Sequence, residues 1–410
     1  MNKLPVILII ILVFTISLFG EGYPDGHFQY RDMQKLYAEA EEISAIKLSD
    51  DGTAIELTEN STDGYIVFAP DSSNTPFNEG LPSWNGFALR NGNAAFAVQM
   101  RFPLGNGWSP WVTVGFWKDF IWNSYGSTSW SGGKVNIDIV ELGAYQNQWQ
   151  FKVLMKRKSP ANESPRINKL SFFVSDSRTT DNFNVIEAVA DKPAPIFIET
   201  EFYYQYGLDD EIGGSICSPT SVAMILRSYD IELDPVQFAR DNKDPYWGIF
   251  GVWPRVVQNA AEFGLDGAVT RYRNWSDARE VLANGGRIAI SVGPPLYSGH
   301  LMMLAGFNDN GTPIIHDPAR SNGYAYVFNK SDLSRSWFQK GGVSYTFYLK
   351  DSTGSTAIGN EHDTRIPEKH QRIWNYPNPF NNATKIEFMV ETPGVTALKI
   401  FDLRGRCVFE

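Results

Sequence analysis

The chain has 410 residues, a formal net charge of −10 and an aromatic content of 14%. An acidic chain without a basic stripe is poorly suited to neutralising phosphates, so we expect no nucleic-acid partner. The length predicts two or three domains, each with a core of its own.

The N-terminus has the pattern of a secretory signal peptide over residues 1–22. Lys3 precedes an almost wholly apolar run from Val6 to Phe19, and small residues follow it. The run is short for a membrane span, so we expect no stable span once the signal is removed. The sequence therefore predicts an exported protein that is secreted or held at the cell surface.

Residues 24–192 predict a tryptophan-rich, all-β sandwich that acts as an accessory domain. Short alternating apolar runs separated by Gly, Asn, Pro and Ser clusters are typical of sandwich strands. We expect the tryptophans to fill the sandwich core, and a sugar-binding platform is the alternative. The clearest of these runs cover 94–102, 111–117, 149–155 and 169–174.

Residues 198–350 mix predicted helices and strands, after a Pro- and Ala-rich linker. Helices followed by antiparallel strands indicate an α+β domain. A polar linker is expected over 351–370 and a further β segment over 371–410. The helices are predicted at 217–229, 235–242, 252–263 and 276–284, and the strands at 287–292, 301–307, 312–316, 324–328 and 343–349.

Cys217 lies between a glycine-rich turn and a predicted helix, in the stretch GGSICSPTSVAMIL from Gly213 to Leu226. A thiol at a helix N-terminus meets unpaired N–H groups and the positive end of the helix dipole, which both favour the thiolate. The alternative is a small apolar residue that fills a helix end. Because the only other cysteine is Cys407, we do not expect a disulfide framework.

A predicted hairpin brings a histidine close to a carboxylate. If residues 308–311 form the turn, Asp317 is the diagonal neighbour of His300 on one face, and His316 points to the other face. A carboxylate beside an imidazole holds the tautomer that accepts a proton from a nucleophile. A satisfied polar pair at a strand edge is the simpler alternative.

Three further residues are candidates for the site. Gln205 precedes the glycine-rich approach to Cys217, and its amide could donate to a developing oxyanion together with the Cys217 N–H. Trp247 and Trp253 could line a cleft for substrate, with packing between helices as the alternative. We expect no metal site and no cofactor, because His316 and the residue after it diverge on a strand.

Together, Gln205, Cys217-Ser218-Pro219, Gly299-His300 and His316-Asp317-Pro318 resemble the bacteriocin-processing (double-glycine leader) peptidase-like cysteine peptidases of the papain-like clan, over roughly 198–350. The resemblance implies a peptide or protein substrate. It implies Cys217 as nucleophile, His300 as general base and acid, Asp317 as the residue that orients His300, and Gln205 as oxyanion donor. Ser218 replaces the usual glycine of the family, and we expect its side chain to narrow the approach to the thiol.

The C-terminal stretch NYPNPFN over 375–381, with the β-like runs after it, is similar to the sorting domain read by the type IX secretion system. This resemblance implies the secretion machinery as a partner and transport across the outer membrane. Such domains usually run further, so 371–410 is expected to be a partial sorting domain.

The leading hypothesis is an exported cysteine peptidase that hydrolyses amide bonds through a thioester on Cys217. A transglutaminase-like acyl transferase or a cell-wall amidase would use the same residues. The alternative from another class is a non-catalytic surface binding module that uses the tryptophan-rich sandwich.

Overall fold

The computed structural model describes residues 23–88, 92–118 and 128–350, together with the backbone of four short strands between 373 and 409. The predicted signal peptide and the linker over 351–370 lie outside the described residues. The chain divides into a unit over 1–364 and a second unit over 365–410.

The first part of the larger unit is mostly β, as the alternating apolar runs predict. Three short helices accompany the strands: α1 (Met33–Ala38), α2 (Ser177–Asp181) and α3 (Val185–Ala190). The strands are β1 (Gly26–Tyr30), β2 (Glu42–Ser44), β3 (Ile46–Leu48), β4 (Ile55–Leu57), β5 (Asp63–Val67), β6 (Asp71–Phe87), β7 (Ala94–Arg101), β8 (Pro103–Leu104), β9 (Gly107–Trp108), β10 (Val112–Trp117), β11 (Ser129–Trp130), β12 (Gly133–Asn136), β13 (Ile139–Arg157) and β14 (Arg166–Ser175).

Within the described residues, all of these strands except β8 and β9 join one antiparallel sheet, whose main path runs β10-β7-β13-β6-β14-β4-β3. The long strand β13 pairs with β6 as far as Trp149 and with β7 from Gln150 onward. Side chains from the part of the sheet around β6 and from the part around β7 therefore share one hydrophobic core. Trp84, Trp117 and Trp149 are fully buried, which confirms the expected core role for these three tryptophans.

The second part of the larger unit is the α+β region. Its strands are β15 (Ile196–Phe197), β16 (Leu265–Arg271), β17 (Arg287–Val292), β18 (His300–Phe307), β19 (Pro313–His316) and β20 (Val343–Leu349). They form an antiparallel sheet in the order β15-β18-β17-β20-β16, with β19 also paired to β18. The helices are α4 (Cys217–Arg227), α5 (Pro235–Asn242), α6 (Trp253–Glu262), α7 (Trp275–Ala283) and α8 (Lys330–Phe338), and short 3₁₀ turns cover Gln205–Gly207 and Gly213–Ser215.

The predicted helices of this region are confirmed with nearly the same bounds, and so are four of its five predicted strands. The strand expected over 324–328 is wrong. Only Tyr326 forms an isolated bridge there, to Ile315. Ala325 has φ of +51°, a left-handed conformation that interrupts an extended strand. The predictions also missed β16 and α8.

The two parts of the larger unit are joined by buried polar contacts rather than by a free linker. The Lys169 ammonium in β14 pairs with Asp266 in β16, and the Arg255 guanidinium in α6 donates to the Phe116 carbonyl at 3.0 Å. In the predicted linker, Asp191 accepts hydrogen bonds from the first N–H groups of α7.

In the smaller unit, the described strands form two antiparallel pairs. The remainder of the predicted sorting segment lies outside the described residues. No helix of the described residues is long and apolar enough to cross a membrane. The strands are β21 (Ile373–Tyr376), paired with β22 (Lys385–Phe388), and β23 (Ile400–Phe401), paired with β24 (Cys407–Phe409).

Candidate active site

Cys217 is the first residue of α4, a helix whose remaining turns are buried. The run Val222–Leu226 packs into the core of the α+β region, which fixes the helix in place. The N-cap residue, Ile216, offers no side-chain acceptor, and Pro219 stands in the first turn, where no partner for an N–H is available. The thiol is free and partly exposed at this end of the helix.

The hairpin of β18 and β19 has the predicted register at its open end, away from the turn. Met303 pairs with His316, as a turn over 308–311 requires. Next to the turn the pairing is one residue out of that register, and a bulge at Ala305 compensates for the difference. His300, at the start of β18, is consequently the diagonal neighbour, on the same face, of the residue that follows β19.

That residue is Asp317, and its carboxylate contacts the imidazole of His300. The His300 Nε2 and Asp317 Oδ1 atoms are 2.8 Å apart, and both side chains are buried. Asp317 Oδ1 also accepts from the Ala319 N–H at 3.0 Å, and Oδ2 accepts from the Tyr297 hydroxyl at 2.5 Å. Burial would raise the pKa of Asp317, but the hydrogen bonds from His300 and Tyr297 outweigh it, so this pKa is lowered.

The other side of the imidazole is left for the thiol. Since Nε2 is taken by the carboxylate, Nδ1 is the nitrogen that remains for the Cys217 sulfur, and the two side chains shift each other's pKa values. Burial raises the pKa of Cys217, but the hydrogen bond and charge of His300 outweigh it and leave the pKa lowered. Burial lowers the pKa of His300, yet its bonds to Asp317 and Cys217 raise it to about 9. The three groups therefore favour a thiolate beside an imidazolium.

His316 belongs to a different environment, on the other face of the hairpin. Its Nδ1 accepts from the Ala325 N–H at 3.1 Å, and its ring stacks on Tyr324 with centroids 4.6 Å apart. Burial lowers its pKa, which favours the neutral ring. Within the described residues, no group of three His, Cys, Asp or Glu side chains is arranged to hold a metal.

Gln205 lies in the 3₁₀ turn before Cys217 and is buried. Its backbone N–H donates to the Pro318 carbonyl at 2.9 Å, which ties this turn to the loop after Asp317. Its amide Nε2 donates to the Gly213 carbonyl at 2.7 Å, in the turn that leads into α4. One N–H of the amide remains for another acceptor.

Ser218 differs from the sequence expectation. Its side chain is 2% exposed, and its hydroxyl lies 2.8 Å from the Tyr345 hydroxyl in β20. The expectation that this side chain narrows the approach to the thiol is therefore wrong. The second residue of α4 points into the core, where a buried tyrosine satisfies the hydroxyl.

The two candidate tryptophans are half-buried and have packing contacts, and their role in a substrate cleft stays a prediction. Trp247 packs against Ala97, Phe116 and Leu154 of the first β region. Trp253 opens α6 and packs against the core of the α+β region. The alternative, packing between helices, fits Trp253. Trp247 is also packed, but against a sheet.

Sequence reasoning missed two residues beside the thiol and imidazole. Tyr297 donates to Asp317, and its ring lies 4.3 Å from the His300 ring, centroid to centroid. The Lys340 ammonium interacts electrostatically with Cys217. A lone tyrosine in a Pro-rich loop and a lone lysine after a helix carry no signal, and the contacts exist only once the sheet has formed.

A helix-borne thiol beside an imidazole–carboxylate pair on an antiparallel sheet is the arrangement of a papain-like cysteine peptidase. Residues 197–345 match the model of the Peptidase_C39 like family, which supports a cysteine peptidase of the C39 type in this part of the chain. No curated protein matches the chain.

Proposed function

We propose that the protein hydrolyses peptide bonds through a thioester on Cys217. The observation that carries this proposal is the His300 ring hydrogen-bonded to the Asp317 carboxylate at 2.8 Å, with the Cys217 thiol at the helix start as the group whose pKa His300 lowers. Each member supports the next, because the carboxylate stabilises the imidazolium and the imidazolium stabilises the thiolate.

In the proposed reaction, the Cys217 thiolate attacks the carbonyl carbon, and the C–N bond breaks as His300 gives its proton to the leaving amine. A water then gives a proton to His300 and attacks the thioester, releasing a carboxylic acid and the thiolate. The Cys217 N–H and the remaining N–H of the Gln205 amide would hold the oxyanion. Removing one such donor typically costs about 3–4 kcal/mol of transition-state stabilisation.

Other uses of the chain have less support. The binding-module alternative depends on tryptophans at a sandwich surface, and Trp84, Trp117 and Trp149 are buried in its core, while Trp108, Trp111 and Trp130 are half-buried. A leader-peptide substrate is not implied by the match to residues 197–345 alone. Export and type IX sorting stay predictions from residues 1–22 and 371–410.

The proposal is tested by the pH dependence of two rates, inactivation by iodoacetamide and cleavage of a peptide mixture. Alkylation needs only the thiolate, so it should be fast at neutral pH and stay fast above pH 9. Cleavage also needs the imidazolium proton, and since the pKa of His300 is raised to about 9, cleavage should fall above that pH. An unreactive thiol at neutral pH, or cleavage that survives full alkylation, would contradict the proposal.

Tyr297 is expected to be a positioning residue. Tyr297→Phe keeps the ring beside His300 but removes the donor to Asp317, a bond to a charged group that is worth about 1.5–3 kcal/mol. We expect kcat/KM to fall roughly tenfold to a hundredfold. We also expect the high-pH limb of the cleavage profile to shift, because the charge distribution on Asp317 changes. A lower rate with an unmoved pH profile would indicate a structural role alone.

A further inference from the structure

Lys340 follows α8 and extends towards the end of the sheet that carries His300. Its Nζ lies 3.5 Å from the Val292 carbonyl, and Val292 pairs with His300 across β17 and β18. Gly293 leaves space for the lysine stem, because a Cβ there would lie 2.8 Å from Lys340 Cδ. A Cβ at Gly299 would lie 3.8 Å from Nζ, so the ammonium stands next to the residue before His300.

Among the described residues, the Lys340 ammonium has no anionic side chain as an ion-pair partner. Lys340 is exposed, and none of the carboxylates in the described residues forms an ion pair with it. Asp317, the nearby buried carboxylate of the site, is already bonded to His300 and Tyr297. Partial burial disfavours the charge of Lys340, and Cys217 is the group whose negative charge favours it. An ammonium without an ion-pair partner, next to a reactive thiol, can bind an anionic group of a ligand.

We infer that Lys340 binds a carboxylate of the substrate on the leaving-group side of the scissile bond. This inference rests on the proposed function. The leaving amine must lie beside His300 to receive its proton, and Lys340 occupies the His300 end of the sheet. Two sources share the required chemistry: an acidic side chain on the residue after the scissile bond, or the free C-terminal carboxylate of that residue.

The first test uses the thiol itself, with Cys407→Ser as background so that Cys217 is the only thiol. The rates of alkylation by iodoacetate and by iodoacetamide are measured at pH 7, and their ratio is compared between variants. Both reagents need the thiolate, so the ratio cancels changes in thiol pKa and reports attraction of the carboxylate. From the energy of an exposed ion pair, Lys340→Met should lower the ratio by about two- to fivefold.

Lys340→Arg keeps the charge and should keep the ratio, and Lys340→Glu should lower it further. Lys192→Met is the matched control, because Lys192 is an exposed lysine that lies against Gly311 at the turn end of the hairpin. An unchanged ratio in both Lys340→Met and Lys340→Glu overturns the inference. This readout does not need peptide hydrolysis, so a failed proposed function and a failed inference give different results.

Matched peptides then distinguish the two sources of the carboxylate. One pair carries Glu or Gln after the scissile bond, and a second pair ends at that residue with a free or an amidated C-terminus. The kcat/KM ratio of the relevant pair should fall about two- to fivefold in Lys340→Met and persist in Lys192→Met. If neither ratio responds to Lys340, the inference is overturned for peptide substrates.

Discussion

In a Cys407→Ser background, Cys217→Ala should abolish peptide cleavage and all labelling by a thiol-directed electrophile at neutral pH. Within the part of the chain that the structure describes, Cys217 is the only thiol at the site, and no hydroxyl among the residues bonded to His300 stands in its place. In peptidases with such a nucleophile, base and orienting residue, loss of the nucleophile costs on the order of 10⁴- to 10⁶-fold in rate. We expect a loss of that size, measured as single-turnover cleavage of a peptide mixture by mass spectrometry.

Cys407→Ser is the matched control, since Cys407 is the second of the two cysteines in the chain. This variant should retain cleavage and incorporate one equivalent of label. Adding a primary amine to the wild type separates hydrolysis from acyl transfer, because a transferase would attach the amine to the substrate. Cleavage at the wild-type rate by Cys217→Ala would rule out the thioester mechanism.

The place of Cys217 at a helix start and the pairing of His300 with Asp317 could be predicted because local rules fix each of them, whereas the partnership of Cys217 with His300 was implied by the family resemblance. Helix periodicity places Cys217 at a helix start, and hairpin pairing places Asp317 diagonally from His300. Next to the turn, the observed pairing differs by one residue from the predicted register. The bulge at Ala305 absorbs that residue, so the predicted pairing holds at Met303 and His316. Without that bulge, the one-residue difference at the turn would have put the imidazole on the other face.

The residues that tune the site could not be predicted in the same way. Tyr297 contacts Asp317 from the loop between β17 and β18, and Lys340 reaches the sheet end from just after α8. Ser218 was expected to narrow the approach to the thiol because only its place beside the thiol is visible in the sequence. Its burial depends on Tyr345, which lies on a strand more than a hundred residues later.

The boundary between the two β-containing regions shows another limit of composition. Residues 190–195 have linker composition, yet Asp191 accepts hydrogen bonds from the first N–H groups of α7, and Ile196 pairs with β18. Turn-rich composition indicates where regular structure stops, but it does not indicate whether the chain is free there. The polar contacts between the regions involve residues from strands that appear in the sequence as ordinary amphipathic segments.

Among those contacts, Asp266→Asn should destabilise the larger unit strongly. Asp266 in β16 accepts from the buried Lys169 of β14 and from Arg31, with the Arg31 Nη2–Asp266 Oδ1 distance at 3.0 Å. Removing the carboxylate leaves the Lys169 ammonium buried without its counter-charge, which typically costs about 3–5 kcal/mol. We expect a loss near the lower end, measured by denaturant unfolding followed through tryptophan fluorescence.

The lower end is expected because Lys169 can respond by losing its proton. Burial already lowers the pKa of Lys169 to about 8, and loss of Asp266 would lower it further. A folded-state pKa below the unfolded value means that unfolding takes up a proton, so the variant should gain stability as pH rises towards about 10. Glu141→Gln is the matched control, because its pair with Lys134 is largely exposed and should contribute less than about 1 kcal/mol. If both variants lost the same small amount, the buried Lys169–Asp266 pair would not be what holds the two regions together.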